Sequence, residues 1–133
     1  MAKKVGKRTL TVETLACKLL ERHGWRAGIT ERRITPYLKR DLYGIGDVLA
    51  IKANRTLLLQ VTTSPNHSTR LKKIRSPECF GMALLWVESR EFGVLSISVS
   101  GVWRLSVLGV VDDAPVWGEL KTDTLREWLA GNN

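Results

Sequence analysis

The sequence predicts an α/β (α+β) fold, a mixed central sheet flanked by helices, on three observations. Val12, Leu15, Ala16, Leu19 and Leu20 recur at helical spacing, and two apolar runs meet at a two-residue turn, Ala53 and Asn54. Further on, Leu95, Ile97 and Val99 alternate with Ser96, Ser98 and Ser100, as in a half-buried strand. Helix, strands, helix, strands, helix is the order of a sheet covered by helices.

Each element has its own signal. Residues 11–23 read as an amphipathic helix that Thr9 or Thr11 caps and Gly24 ends. Trp25 to Arg33 is weakly strand-like, is interrupted by Gly28, and leads into a polar connection containing Pro36. Ile45 to Lys52 and Arg55 to Thr63 form the hairpin. Ser64 and Pro65 mark a helix start, because proline's fixed φ and missing N–H suit the first turn. A second helix is expected over Pro65 to Ile74, with His67, Leu71 and Ile74 on its inner face. Met82 to Val87 is a short apolar run, taken with the alternating stretch and Val102 to Val111 as the second group of strands. Asp112 to Pro115 reads as a break. Thr124 with Glu127 then forms a capping box for a last helix near Leu125 to Ala130, which Gly131 closes.

The chain's 133 residues suit one domain over 1–133, with 1–8 as a basic flexible terminus. A content of 44% hydrophobic and 26% charged residues excludes a disordered chain. No apolar run approaches the ~18 residues of a membrane span, and the start MAKKVGKRTL lacks the apolar stretch of a secretion signal. Cys17 and Cys79 make neither a disulfide framework nor a metal-ligand spacing, so a soluble protein of a reducing cytoplasm is expected.

The net charge of +8 is unevenly spread. Residues 1–40 carry 11 basic and 3 acidic side chains, whereas residues 79–133 carry 4 and 7. An electropositive N-terminal half suits a polyanion, and nucleic acid is favoured because no basic helix has the wide apolar face that a membrane surface requires. The candidate contacts are Lys3, Lys4, Lys7, Arg8, Arg32, Arg33, Lys39, Arg40, Arg70, Lys72 and Lys73. A solvated basic surface is the plainer reading of the same charges.

In a hairpin with a two-residue loop, Lys52 faces Arg55, and counting back sets Asp47 across from Gln60. Alternation adds Thr62 to that face and sends Leu57, Leu59 and Val61 to the other. Glu13 lies at the border of the first helix's apolar stripe, where it can reach the sheet edge. Such oxygen donors suit a hard divalent cation, Mg²⁺ or Mn²⁺, which takes one or two carboxylates plus waters and phosphate. The alternative is an ordinary hydrogen-bonded Asp47, a polar strand residue at Gln60, and a favourable N-terminal charge at Glu13. His67 reads as a satisfied inward residue and the five tryptophans as core.

Glu13, Gly24-Trp25, Asp41 to Asp47 and Leu57 to Thr62 together resemble the PD-(D/E)XK nuclease superfamily, especially its archaeal-type Holliday-junction resolvase branch, over residues 11–75. The stretch is also similar to a group of phage and bacterial proteins with a like aspartate segment and a Gln-Val-Thr strand. The resemblance implies a restriction-endonuclease-like sheet and metal-dependent hydrolysis of branched or structured DNA by a homodimer. It places metal ligation on Asp47, Gln60 and Glu13, with water orientation on Thr62. Two departures stand out. Gln60 replaces a carboxylate, and Thr62 replaces the lysine that supplies positive charge, so Arg70, with Lys73 second, is expected to substitute for it. Gly46 stands where the family has proline. A catalytically inactive nuclease-fold module that binds nucleic acid, or modulates another protein, is the competing reading.

Overall fold

A computed structural model describes residues 10–30, 32–35, 38–40, 45–112 and 114–131, with the backbone alone for 32–35 and 38–40. Helix α1, Val12–Arg22, forms where the periodicity places it, and the Thr11 side chain accepts from the Thr14 N–H at its start. Its apolar stripe (Ala16, Leu19, Leu20) is buried. Strands β1 (Arg26–Ile29), β4 (Val48–Lys52), β5 (Arg55–Thr63), β6 (Glu91–Ile97), β7 (Trp103–Val111) and β8 (Ala114–Lys121) make one six-stranded sheet in the order β1-β4-β5-β6-β7-β8. Every neighbouring pair is antiparallel except β5–β6, which is parallel. A parallel pair requires a crossover, supplied by a 3₁₀ turn (Ser64–Asn66), α2 (His67–Arg75) and α3 (Pro77–Trp86). Strands β2 (Arg32–Thr35) and β3 (Leu38–Arg40) form a separate ribbon, and α4 spans Thr122–Ala130. This is the expected α+β arrangement, a mixed sheet flanked by helices.

Two apolar layers hold the sheet. On one face Leu57, Leu59 and Val61 pack with Ala16, Leu19 and Leu20 of α1 and with Leu125 and Leu129 of α4. On the other, Leu58, Phe92, Val94 and Leu108 pack with Leu71 and Ile74 of α2 and with Ala83 and Trp86 of α3. Leu57, Leu58 and Leu59 are each at most 1% exposed, so β5 is covered on both sides. Burial of each such leucine contributes about 2 kcal/mol before chain entropy is counted.

The hairpin register matches the count from its turn: Lys52 pairs with Arg55 and Val48 with Leu59. Three expectations need correction. Met82 to Val87 belongs to α3, not to a strand, because Pro77 after Ser76 starts a helix whose apolar character runs all round it. The break ends at Ala114, where β8 begins, and Pro115 is tolerated because β8 is an edge strand with one side unpaired. Helix α4 starts at Thr122, and its cap pairs Lys121 with Thr124 instead of Thr124 with Glu127. The pattern from Ser96 to Ser100 also misled. Ser96 is 1% exposed and Val99 fully exposed, since β6 is central and covered on both faces. Trp25 and Trp86 are buried, and Trp103, Trp117 and Trp128 are half-buried against the two cores. Among the described residues, no helix is long and apolar enough to cross a membrane.

Candidate functional site

Strand β4 starts at Val48, whereas β5 runs on to Thr63, so β5 outlasts its neighbour. Its surplus backbone groups need partners. The Asp47 N–H donates to the Leu59 carbonyl at 2.9 Å, and Asp47 Oδ1 accepts from the Val61 N–H at 3.0 Å. The carboxylate thus stands where the next strand carbonyl would have been. Gln60 Nε2 donates to the Ile45 carbonyl at 3.0 Å. Asp47 and Gln60 both lie just past the last paired rung, Val48–Leu59, and both are buried, at 6% and 1% exposure. Thr62, also buried, follows Gln60 on the same face by strand alternation.

Glu13 arrives from the other layer. Helix α1 packs on the Leu57, Leu59 and Val61 face, so this half-buried carboxylate lies across the sheet plane from Gln60 and Thr62. Cys17, one turn along α1, ties the two regions together electrostatically. Burial pushes its thiol pKa up, and the charges of Glu21, Glu13 and Asp47 add to the effect. Among the described residues, no three His, Cys, Asp or Glu side chains gather closely enough to hold a metal ion. The donors at this end of the hairpin are therefore Asp47 and the Gln60 amide oxygen, and Glu13, on the opposite face of the sheet, does not join them as the sequence expectation had it. One carboxylate and one amide match a weakly held Mg²⁺ or Mn²⁺ completed by waters and phosphate.

The first turn of α2 buries His67, and its next turn half-buries Arg70. Arg70 Nε is buried with no hydrogen-bond partner among the described residues. Such an orphaned donor costs roughly 1–3 kcal/mol until something accepts from it. Lys72 is exposed and Lys73 half-buried. In the ribbon, Arg32 pairs with Arg40 and Arg33 with Lys39, which sets four basic positions opposite one another. Lys3, Lys4, Lys7 and Arg8 lie outside the described residues. Gly46 has no room for a side chain, because a Cβ there would overlap Leu58.

Sequence reasoning missed a polar chain on the α2 side of the sheet. His67 is bonded at both ring nitrogens, Nδ1 to Ser96 Oγ at 2.6 Å and Nε2 to Ser106 Oγ at 2.8 Å. Ser106 Oγ donates to Glu119 Oε2 at 2.6 Å, and Arg104 Nε donates to Glu119 Oε1 at 2.9 Å. Burial, then the Arg104 charge, lowers the His67 pKa to about 4, against a smaller opposite pull from Glu119. Burial alone would raise the Glu119 pKa, but the hydrogen bonds from Arg104 and Ser106 and the Arg104 charge bring it below its ordinary value. The one sequence signal was His67 on an inward helix face, because a buried imidazole needs two partners. Those partners lie 29 and 39 residues away.

No family of known proteins matches the chain, and no curated protein does. Among solved structures, the chain is similar to Hjc of Archaeoglobus fulgidus, a Holliday junction resolvase from an archaeal hyperthermophile. The two are 13% identical, with a TM-score of 0.46 over 84% of this chain and 85% of that one. At that distance the likeness assigns no activity to this chain.

Proposed function

We propose that the protein is a nuclease-like factor that binds branched or structured DNA and hydrolyses phosphodiesters with a bound Mg²⁺ or Mn²⁺. What supports the reading is the position of Asp47 and Gln60 past the last rung of the β4–β5 ladder, together with an Arg70 Nε on α2 that has no hydrogen-bond partner among the described residues. Asp47 and Gln60 would hold the ion, which when bound supplies charge neutralisation at the phosphate and a more acidic water, while Glu13 stands on the opposite face of the sheet. Thr62 orients the attacking water, and Arg70 donates to a phosphate oxygen, in place of the lysine that the strand lacks. Lys72, Lys73 and the paired cations of the β2–β3 ribbon hold the backbone of the nucleic acid. A homodimer sets two such sites against a two-fold junction.

The test is incubation with junction, duplex and single-stranded DNA, with Mg²⁺, Mn²⁺ or chelator, beside an Asp47→Asn variant. Metal-dependent cleavage that Asp47→Asn abolishes is expected. Equal cleavage by the variant refutes the site. A second reading, a binding module without turnover, is favoured by the commitment of Asp47 Oδ1 and Gln60 Nε2 to backbone partners. It predicts salt-sensitive binding with no cleavage under any metal.

A further inference from the structure

The hydrogen bonds around His67 have a direction. Ser106 has a single hydroxyl proton and gives it to Glu119, so His67 Nε2 must carry the proton of the 2.8 Å bond. A neutral imidazole protonated there leaves Nδ1 bare, and Ser96 Oγ–H donates to it. The chain therefore runs Ser96 to His67 to Ser106 to Glu119, every donor pointing toward the β8 edge. Its inner end is beside the candidate site, since Ser96 is the β6 partner of Thr62. Neighbouring strands lie about 4.8 Å apart, which sets Thr62 and Ser96 side by side on the face that α2 covers. The outer end is open, with the Glu119 side chain 43% exposed.

Resting on the nuclease reading above, we propose that Ser96, His67, Ser106 and Glu119 form a proton relay that takes the proton of the attacking water. The water gives a proton to Ser96 Oγ as the Ser96 proton moves to His67 Nδ1. The Nε2 proton passes to Ser106 Oγ, and the Ser106 proton to Glu119 Oε2. The hydroxide so formed bonds to phosphorus as the bond from phosphorus to the leaving oxygen breaks, and that oxygen takes a proton from solvent. Glu119 then returns its proton through Ser106 to Nε2 as Nδ1 passes its own to Ser96 and Ser96 releases one to an incoming water, which restores the starting tautomer. The ring passes one proton in as another leaves, so no imidazolium accumulates. The weak basicity of a buried His67 is compatible with this role.

His67→Gln and Glu119→Gln test the relay, because an amide keeps hydrogen bonds and cannot pass a proton. Both variants are checked for folding by circular dichroism, and Glu119 lies on an exposed edge, where the change leaves the core intact. Single-turnover cleavage is expected to slow at least about tenfold, the low end of general-base effects falling near a hundredfold. DNA affinity and KM should stay within twofold of the unaltered protein, and the solvent deuterium isotope effect should change. Nitrogen-15 shifts of His67 should report protonated Nε2 and bare Nδ1. Unaltered rates in both variants, affinity lost in step with rate, or an Nδ1–H tautomer overturns the relay while Asp47→Asn still reports on the nuclease reading. Absence of cleavage by the unaltered protein overturns both.

Discussion

Asp47 serves the strand ladder as well as the candidate site, and substitution separates the two roles. Asp47→Ala removes the acceptor of the Val61 N–H, and Val61 is 2% exposed, so that donor is left buried and unpaired. A buried orphan costs about 1–3 kcal/mol, and a charged acceptor places the loss near the middle of that range, about 2 kcal/mol. For a chain of this size the melting temperature should fall on the order of 6–8 °C. Asp47→Asn keeps an oxygen in the same position and loses only the charge, so its cost should stay below about 1 kcal/mol. Urea titration of both variants measures the difference as a shift in midpoint at constant slope. Asp47→Ala within 0.5 kcal/mol of the unaltered protein, or Asp47→Asn as unstable as Asp47→Ala, refutes the ladder role (the threshold is roughly the noise of such comparisons). Loss of cleavage in the alanine variant is thus ambiguous, and the asparagine variant is the decisive one.

Other outcomes follow from the same coordinates. Arg55 stacks on Trp25 and Trp128 at 4.8 and 4.4 Å, bonds both oxygens of Glu91 and donates to the Trp128 carbonyl. Arg55→Ala should destabilise by roughly 2 kcal/mol, with the partly exposed ion pair contributing the smaller part, and thermal melting reads it. The folded state holds His67 neutral down to about 4 while the unfolded chain takes a proton near 6.5, so stability is full above pH 6.5 and declines as pH falls toward 4. Glu119, whose pKa folding lowers, adds a loss below its ordinary value, and His67→Gln should flatten the upper part of the curve in pH-dependent urea unfolding. Ala53 sits at φ 52 in the β4–β5 turn, and Ala53→Gly should raise stability by about 0.5–1 kcal/mol on chemical denaturation. If about six phosphates are contacted, DNA affinity should drop on the order of a thousandfold between 50 and 200 mM salt, and Lys72→Ala should reduce the logarithmic slope by about one.

How much of this was legible beforehand depends on the distance over which each feature is decided. Helix α1 and the hairpin rest on local signals (Thr11 and Ala53-Asn54) and appear where those signals sit, and Ser64-Pro65 opens a 3₁₀ turn that leads into α2 at His67. The rung that sets Val48 opposite Leu59 follows from counting along that hairpin. What failed was decided by remote neighbours. A short apolar run without a polar face suits strand and helix alike, so α3 was misread. Pro115 forbids a central strand but not an edge, and only the sheet order reveals which β8 is. Ser96 looked solvent-facing until a histidine from another element covered it. Gln60 and Thr62 were plain in the sequence, whereas the polar chain of Ser96, Ser106 and Glu119 comes together only through the β6–β7–β8 ladders.

The single parallel pairing has a consequence for how the chain assembles. Strands β1, β4 and β5 form one three-stranded unit from nearby segments, and β6, β7 and β8 form another. The β4–β5 hairpin and the β6–β7–β8 strands can zip up through short connections, whereas β1 reaches β4 across the segment that carries the β2–β3 ribbon, and joining the two units waits for the whole crossover of α2 and α3 to dock, the slow kind of event in folding. Thr62 and Ser96 sit on opposite banks of that seam. A half-assembled molecule therefore holds the Ser106–Glu119 end of the strip on one side and Thr62 on the other, and the strip becomes continuous only when the two halves of the polypeptide have met.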